Sequence, residues 1–172
     1  MFGRCGTMTT DFQPVEIIQG DFSGGMLLIA DHAMRHLPAE YGRLGLPDHE
    51  FDRHIAYDIG VEGVTRHLAA LTGAPAVMAR YSRLLIDPNR SEDDPTLVRQ
   101  IYDGAVIPGN YPLCREELDR RIERYYRPFR AAVDEAARTI EDKTAASCII
   151  MSIHSFTPSM GGRARPWHIG LL

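Results

Sequence analysis

The sequence has 172 residues, 44% of them hydrophobic and 24% charged, which suits a globular domain with a sizeable core and excludes a chain that is disordered throughout. The formal net charge of −4 gives no reason to expect a nucleic-acid partner, and no apolar run reaches the roughly 18 residues of a membrane helix. Three widely spaced cysteines without a C-x-x-C pair, and an N-terminus without the apolar core of a signal peptide, predict a cytoplasmic protein.

The chain is expected to begin with a flexible segment and to continue as one domain. Residues 1–22 are interpreted as the flexible N-terminal segment, because residues 1–11 in particular carry little periodicity. The domain then covers residues 23–172. Its first element is the apolar run Met26–Ala30, which lies between a glycine pair and Asp31-His32 and therefore predicts a buried strand.

A helix and a strand region are predicted next. The helix begins after Pro47 with Asp48 as its cap, and it ends at Gly73, a residue favoured just past a helix C-terminus. Two further apolar runs, 76–81 and 84–86, are typical of strand.

The second half of the chain adds a loop, a helix and two strands. Residues 91–112 are rich in Asp, Pro and Gly and predict a loop long enough to have a function. A long helix is predicted over 113–143, with a kink at Pro128. Strands are predicted over 148–153 and 167–172. Strands thus alternate with helices, which predicts an α/β fold with a mostly parallel sheet and helices on both faces.

Polar residues that can do chemistry follow three of the predicted strands. The first strand is followed by His32, the second by Asp87-Pro88-Asn89-Arg90 and the third by His154. Ligands of open α/β sheets bind outside the carboxyl ends of the strands. These side chains are therefore expected to meet at one rim of the sheet.

Two imidazoles and a carboxylate make a common catalytic zinc set that leaves one position open for water. His32 and His154 supply the imidazoles, and Asp58 can supply the carboxylate. Asp58 lies one predicted helical turn after His54, which would place both on one helix face. Three other histidines are interpreted as ordinary structural or surface residues: His36, His49 and His67.

A carboxylate-binding group is predicted beside the zinc set. Asn89 and Arg90 offer an amide donor and a bidentate guanidinium, although a salt bridge that holds the loop would explain Arg90 equally well. Arg83 stands among apolar residues and requires a partner or a ligand.

At these same residues the sequence resembles the N-formylglutamate amidohydrolase family, whose fold is similar to that of the zinc carboxypeptidases. The resemblance runs in order over almost the whole chain beyond residue 28. The segments that carry it are 30–33, 54–60, 81–90, 107–110, 154–158 and 165–170.

The resemblance implies a zinc-dependent hydrolase that cleaves the amide bond of a small N-acyl amino acid, such as an N-formyl amino acid. It implies that His32 and His154 are zinc ligands, with Asp58 as the third. It also implies that Asn89-Arg90 holds the substrate carboxylate and that Arg83 assists in binding or in polarising the carbonyl group.

The sequence departs from the wider group in two ways. Carboxypeptidases have a Glu three residues after the first ligand His, where this chain has Arg35. Family members also continue beyond the region matching 165–170, and their later portion supplies the Glu expected to act as general base.

The family's general base is therefore expected beyond Leu172, the last residue of the sequence. Within the 172 residues we can nominate only Glu40, Glu50 and Glu62. The sequence is interpreted as lacking the family's C-terminal portion, and feeble amidase activity is expected of it.

Two alternatives remain open at this point. The chain could be a non-catalytic module that binds carboxylate ligands and derives from the family by truncation. It could instead be a metal-independent Ser or Cys hydrolase, although it has no G-x-S-x-G elbow. The expected partner is a small-molecule N-acyl amino acid, and the chain could also pair with a second copy of itself as a homodimer.

Overall fold

A four-stranded sheet forms the centre of the computed structural model, which describes residues 12–160 and 162–171. The strands in chain order are β1 Val15–Ile18, β2 Met26–Ala30, β3 Ala76–Ala79, β4 Ile101–Tyr102, β5 Ala105–Val106, β6 Ile149–Ser152, β7 Ser159–Met160 and β8 Arg163–Ala164. The central sheet has the order β1-β3-β2-β6. Strand β2 is parallel to both of its neighbours, and β1 is antiparallel to β3. The prediction of an α/β fold with a mostly parallel sheet is confirmed.

Helices cover both faces of this sheet. Successive strand residues point to opposite faces, and both faces are apolar. The helices are α1 Val61–Thr72, α2 Arg115–Arg121 and α3 Arg127–Thr144. Leu27 and Val77 point to the α3 side, where they belong to one buried cluster with Phe129. Leu28 and its neighbours on the opposite face pack with Ala69 of α1. Helices on both faces were predicted, and the structure confirms them.

The long helix predicted over 113–143 is present as α2, a π-helical turn and α3 in direct succession. The π-helical turn covers Ile122–Tyr126 and directly precedes α3, whose second residue is Pro128. A proline has no N–H to donate to the preceding turn. The irregularity expected at Pro128 is therefore a wider turn on its N-terminal side.

The prediction of a helix that begins after Pro47 is wrong for the first half of that helix. Residues Asp48–Asp52 form a short 3₁₀ helix, and α1 begins only after Gly60, whose φ is 84°. Tertiary contacts explain the difference: Phe51 and Ile55 are buried in a separate apolar cluster with Leu84, which the straight helix could not reach. The apolar spacing that resembles a helix here is produced by burial in an irregular segment.

Two of the predicted strands are also wrong. Residues 84–86 form a turn in which Leu85 N donates to Ser82 O at 3.0 Å, and their complete burial explains the apolar run. The strand predicted over 167–172 is absent from its described part, residues 167–171, whose apolar side chains are exposed. Leu172, the last residue of that predicted strand, lies outside the described part of the chain. An apolar run forms a β-strand only where a neighbouring strand pairs with it, and this run has no such neighbour within the described residues.

Two segments predicted as flexible or as loop contain strands. Strand β1 lies inside the predicted flexible segment 1–22 and pairs with β3, from Val15 opposite Ala79 to Ile18 opposite Ala76. Residues 1–11 lie outside the described part of the chain. The predicted loop 91–112 contains the β4–β5 hairpin, which turns at Asp103 and Gly104 with φ values of 43° and 81°. Positive φ at both positions is what a two-residue hairpin requires.

In the part of the chain that the structure describes, we find no helix long and apolar enough for a bilayer.

Candidate active site

The carboxyl ends of β2 and β6 bring three polar segments to one edge of the sheet. These parallel strands are neighbours, and they are followed by His32 and by His154 respectively. Asp58 reaches the same edge from the loop before α1, where its backbone N–H donates to His32 O at 2.9 Å. Asp58 is thus placed by a contact with the first strand end, not by a helix shared with His54 as predicted.

The three side chains form a group that could hold a metal ion. One possible ligand atom of each residue, His32, Asp58 and His154, lies within 4.8 Å of the others. Asp58 Oδ2 is 2.9 Å from His154 Nδ1 and 3.7 Å from His32 Nδ1. The second distance is too long for a hydrogen bond, and His32 Nδ1 is buried without a hydrogen-bond partner in the described residues. A buried ring nitrogen of this kind fits a cation placed between the two imidazoles and Asp58.

A carboxylate contacts the outer ring nitrogen of each imidazole. His32 Nε2 lies 2.7 Å from Asp87 Oδ1, and both side chains are buried. His154 Nε2 lies 3.3 Å from Asp31 Oδ2 and 3.0 Å from Ser152 Oγ. With Nε2 of His32 donating to Asp87, its Nδ1 keeps the lone pair that a metal needs. Both rings therefore turn Nδ1 inward and Nε2 outward, which is the arrangement of metal-binding histidines held by outer carboxylates.

The electrostatics of this group favour ionised carboxylates around a neutral imidazole. Burial alone would raise the pKa of Asp31, but its hydrogen bonds to His154 and Ser152 oppose burial, and the pKa lies below its ordinary value. The same balance, with His32 as the hydrogen-bond partner, lowers the pKa of Asp87. Burial lowers the pKa of His32 more than Asp87 raises it. A neutral imidazole and ionised carboxylates are the states in which these residues bind metal.

An open cleft of about 1140 Å³ begins at Asp58. Its polar lining consists mainly of arginine, histidine and acidic side chains: Arg53, His54, Asp58, Arg83, Arg99, Asp103 and Arg165. Arg83 was expected to need a partner, and it contacts Asp58 through Nη2. Its Nη1 lies 3.4 Å from the Tyr102 hydroxyl. Burial lowers the pKa of the Arg83 guanidinium more than Tyr102 and Asp87 raise it.

The predicted carboxylate-binding pair lies beside the metal group but outside the lining of this cleft. Asn89 and Arg90 are both exposed. The backbone N–H of Asn89 donates to Asp87 Oδ1 at 3.0 Å, and Arg90 lies 3.8 Å from both Asp87 and Asp94. The role of Arg90 in carboxylate binding therefore stays a prediction.

The three nominated glutamates are engaged elsewhere. Glu40 accepts from Arg124 and Tyr125, Glu50 pairs with Arg53, and Glu62 pairs with Arg66. None of these glutamates lines the cleft. Arg35, at the place where carboxypeptidases have a ligand Glu, contacts Asp52 and lies over the Tyr57 ring. In the described residues, Asp58 is the carboxylate that lies with His32 and His154 in the candidate metal group.

The general base that the family resemblance implies stays a prediction. It was expected beyond Leu172, and Leu172 itself lies outside the residues that the structure describes. The acidic side chains in the described lining of the cleft are those of Asp58 and Asp103. Each of them contacts an arginine, Arg83 and Arg53 respectively, and neither is the expected glutamate.

Several site residues were not identified from the sequence. Asp31 and Asp87 were noted at strand ends, but their contacts with His154 and His32 depend on the fold. Arg99 and Tyr102 lie in the segment predicted as a loop. The Asp103-Gly104 dipeptide is a hairpin signal that could have indicated how this segment folds back to the site.

Comparisons with known proteins give a consistent result. A family model described as N-formylglutamate amidohydrolase matches residues 24–172. A crystal structure of a gene product from Agrobacterium tumefaciens matches with a TM-score of 0.82 and 32% identity, over 90% of this chain and 61% of that chain. N-formylglutamate amidohydrolase from Ralstonia eutropha matches with a TM-score of 0.63 and 26% identity, over 83% of this chain and 57% of that one. The chain thus spans less than two thirds of the length of either solved relative. No curated protein matches the chain.

Proposed function

Because the chain belongs to the N-formylglutamate amidohydrolase family, we propose that it is a metal-dependent enzyme that hydrolyses the amide bond of an N-acyl amino acid. The observation that supports metal dependence is the group formed by His32, Asp58 and His154, with the unpartnered Nδ1 of His32 turned into it. Two imidazole nitrogens and one carboxylate oxygen are a donor set that zinc prefers in open catalytic sites.

The residues around the metal group have separable tasks in this proposal. Zinc, when bound, would polarise the amide carbonyl and lower the pKa of a water molecule. Asp87 and Asp31 orient the two imidazoles through their Nε2 atoms. Arg83, which contacts Asp58 and lines the cleft beside it, donates to the oxygen on which negative charge develops as the carbonyl carbon is attacked. The arginine-lined cleft accommodates the carboxylate-bearing part of the substrate.

A hydrolysis screen with metal control tests the proposal. The protein is stripped with a chelator, reloaded with zinc, and given N-formyl and N-acetyl amino acids while release of the free amine is measured. We expect zinc-dependent hydrolysis of at least one acidic N-acyl amino acid. A chain that binds the product amino acid but hydrolyses none of these amides would favour the non-catalytic binding module instead. Hydrolysis that persists fully after metal removal would contradict metal dependence.

A second candidate function has a specific observation in its favour. Ser152 Oγ lies 3.0 Å from His154 Nε2, while His154 Nδ1 lies 2.9 Å from Asp58 Oδ2. This is the hydrogen-bond order of a serine hydrolase, in which the imidazole takes the proton of the serine hydroxyl. The substitution Ser152→Ala separates the two candidates. It would remove a nucleophile and abolish hydrolysis in a serine hydrolase, whereas the metal-dependent enzyme retains activity within about tenfold.

A further inference from the structure

Arg99 lines the cleft and has no part in the proposed catalytic group. Arg83 contacts Asp58, and Arg53 pairs with Glu50 and Asp103. Arg99 also lines the cleft, yet it forms no ion pair with a carboxylate in the described residues. Its Nε atom is buried and has no hydrogen-bond partner there. A guanidinium held partly out of water without a counter-charge is a feature that an anionic ligand would complete.

The side chain of Arg99 is held in place by an aromatic ring. Its guanidinium carbon lies 4.5 Å from the centre of the Tyr102 ring, which is a cation–π distance. An arginine stacked on a ring keeps its N–H donors free, because they point outward in the guanidinium plane. The hydroxyl of the same tyrosine lies 3.4 Å from Arg83 Nη1. Tyr102 therefore places Arg99 about one ring away from Arg83, and the two positive charges face one cleft.

The backbone of Arg99 is fixed as well. Its carbonyl accepts from Asn110 Nδ2 at 2.7 Å, and the same amide group donates to Leu84 O at 2.8 Å. Asn110 is completely buried, and its Oδ1 accepts from Arg121 Nη1 at 2.7 Å. Arg99 and the segment after Arg83 thus share one buried support. A donor held in advance binds its ligand with less loss of conformational entropy than an arginine without such support would.

We propose that Arg99, stacked on Tyr102, is a specificity-determining residue of this cleft that binds the side-chain carboxylate of an acidic N-acyl amino acid. This inference rests on the proposed function for the identity of the ligand. Arg83 lies at the metal end of the cleft, beside Asp58. Arg99 is one aromatic ring further along, where a substrate whose amide lies near Asp58 would place a second negative group. A neutral side chain at that point would leave the Arg99 guanidinium unpaired, and the cleft would bind it less well.

Calorimetric titration with L-glutamate and with L-glutamine tests this inference, because the two ligands have almost the same shape and differ in the side-chain charge. We expect the wild-type protein to bind glutamate at least about tenfold more tightly than glutamine, as a charge-assisted pair predicts. Arg99→Met should remove this preference by weakening glutamate binding alone, and Arg99→Lys should restore part of it. Arg138→Met makes the same charge change on the exposed face of α3 and should leave the preference unchanged.

The outcomes separate this inference from the proposed function. A wild-type preference that survives in Arg99→Met, or a wild-type protein without a preference, overturns the role of Arg99. Loss of the preference in Arg90→Met but not in Arg99→Met would assign the contact to Arg90. If Arg99→Met does not fold by circular dichroism, Arg99→Gln replaces it, with the same expected loss. The titrations measure binding only, so a failure to hydrolyse amides would count against the proposed function and leave the role of Arg99 to be decided by them.

Discussion

At the scale of single residues, the candidate metal group depends on the carboxylates that hold its imidazoles. Asp87→Asn keeps the shape of the buried side chain but removes the charge that faces His32 Nε2 at 2.7 Å. We expect zinc affinity to fall by about 10–100-fold, because outer hydrogen-bond partners raise the basicity of ligand histidines and fix their orientation. Competition with a zinc-binding dye measures the change. Asp134→Asn, on the exposed face of α3, is the matched control. Equal zinc affinity in the two variants would show that Asp87 does not support metal binding by His32.

Arg83 makes a different contribution, which kinetics can separate from metal binding. Its guanidinium contacts Asp58 and faces the cleft, so Arg83→Met removes a positive charge at the proposed site of amide hydrolysis. We expect kcat to fall by about 10²–10³-fold, as for the loss of an oxyanion-stabilising donor. The zinc content should stay near that of the wild type, because Arg83 is no metal ligand. Loss of zinc together with activity would show instead that Arg83 serves to position Asp58.

Site residues that follow a strand could be predicted from the sequence, whereas site residues in the connecting segments could not. His32 and His154 could be assigned to one rim because each follows an apolar run, and parallel strands bring their carboxyl ends together. The structure does bring them together with Asp58. Arg99 and Tyr102 could not be found in this way. Their relation to Arg83 depends on the β4–β5 hairpin and on the buried contacts of Asn110, which no periodicity reveals.

At the scale of elements, two glycines allow a matched test of how the edge strand is attached. Gly20 follows β1, and a Cβ there would lie 2.5 Å from Gly73 O and 2.6 Å from Pro75 N, which are backbone atoms that cannot move aside cheaply. Gly63 lies within α1, where a Cβ would meet nothing within 4 Å. We expect Gly20→Ala to reduce the free energy of unfolding by about 1–3 kcal/mol. Gly63→Ala should increase it by about 0.5–1 kcal/mol.

Urea denaturation of both variants measures these changes. Equal effects of the two substitutions would mean that the close approach of Gly20 to the turn after α1 is not maintained in solution. The test is informative because β1 lies in a segment for which the sequence predicts flexibility. The prediction rested on the weak periodicity of residues 1–11, whereas β1 is held by its pairing with β3, which is a long-range contact. The lack of a long-range pairing partner in the described residues also explains why 84–86 form no strand, and why 167–171 of the strand predicted over 167–172 form none.

At the scale of the whole molecule, the β6 edge of the sheet is a surface suited to self-association. Strand β6 pairs with β2 on one side and with no strand on the other within the described residues. Its apolar side chains are exposed, with 65% of Ile149 and 48% of Ile150 accessible. Unpaired strand edges with apolar side chains favour contact with another chain.

Ile149→Lys tests this expectation. A charge on the β6 edge should shift the protein towards the monomer, because a lysine there opposes pairing of one edge with another. Sedimentation velocity over a range of concentrations measures the shift. Leu71→Lys introduces the same charge at a comparably exposed position of α1 and should leave the distribution unchanged. If both variants associate as the wild type does, the contact between copies lies elsewhere or does not form.

Titration of the metal-stripped protein with zinc tests the central claim most directly. We predict about one zinc ion per chain, bound by His32, Asp58 and His154, because catalytic zinc sites take three protein ligands. His32→Ala, Asp58→Ala and His154→Ala should each lose this binding. His67→Ala, which removes an exposed histidine of α1, should keep it. Full zinc binding in both His32→Ala and His154→Ala, or no zinc binding by the wild-type chain, would contradict the account.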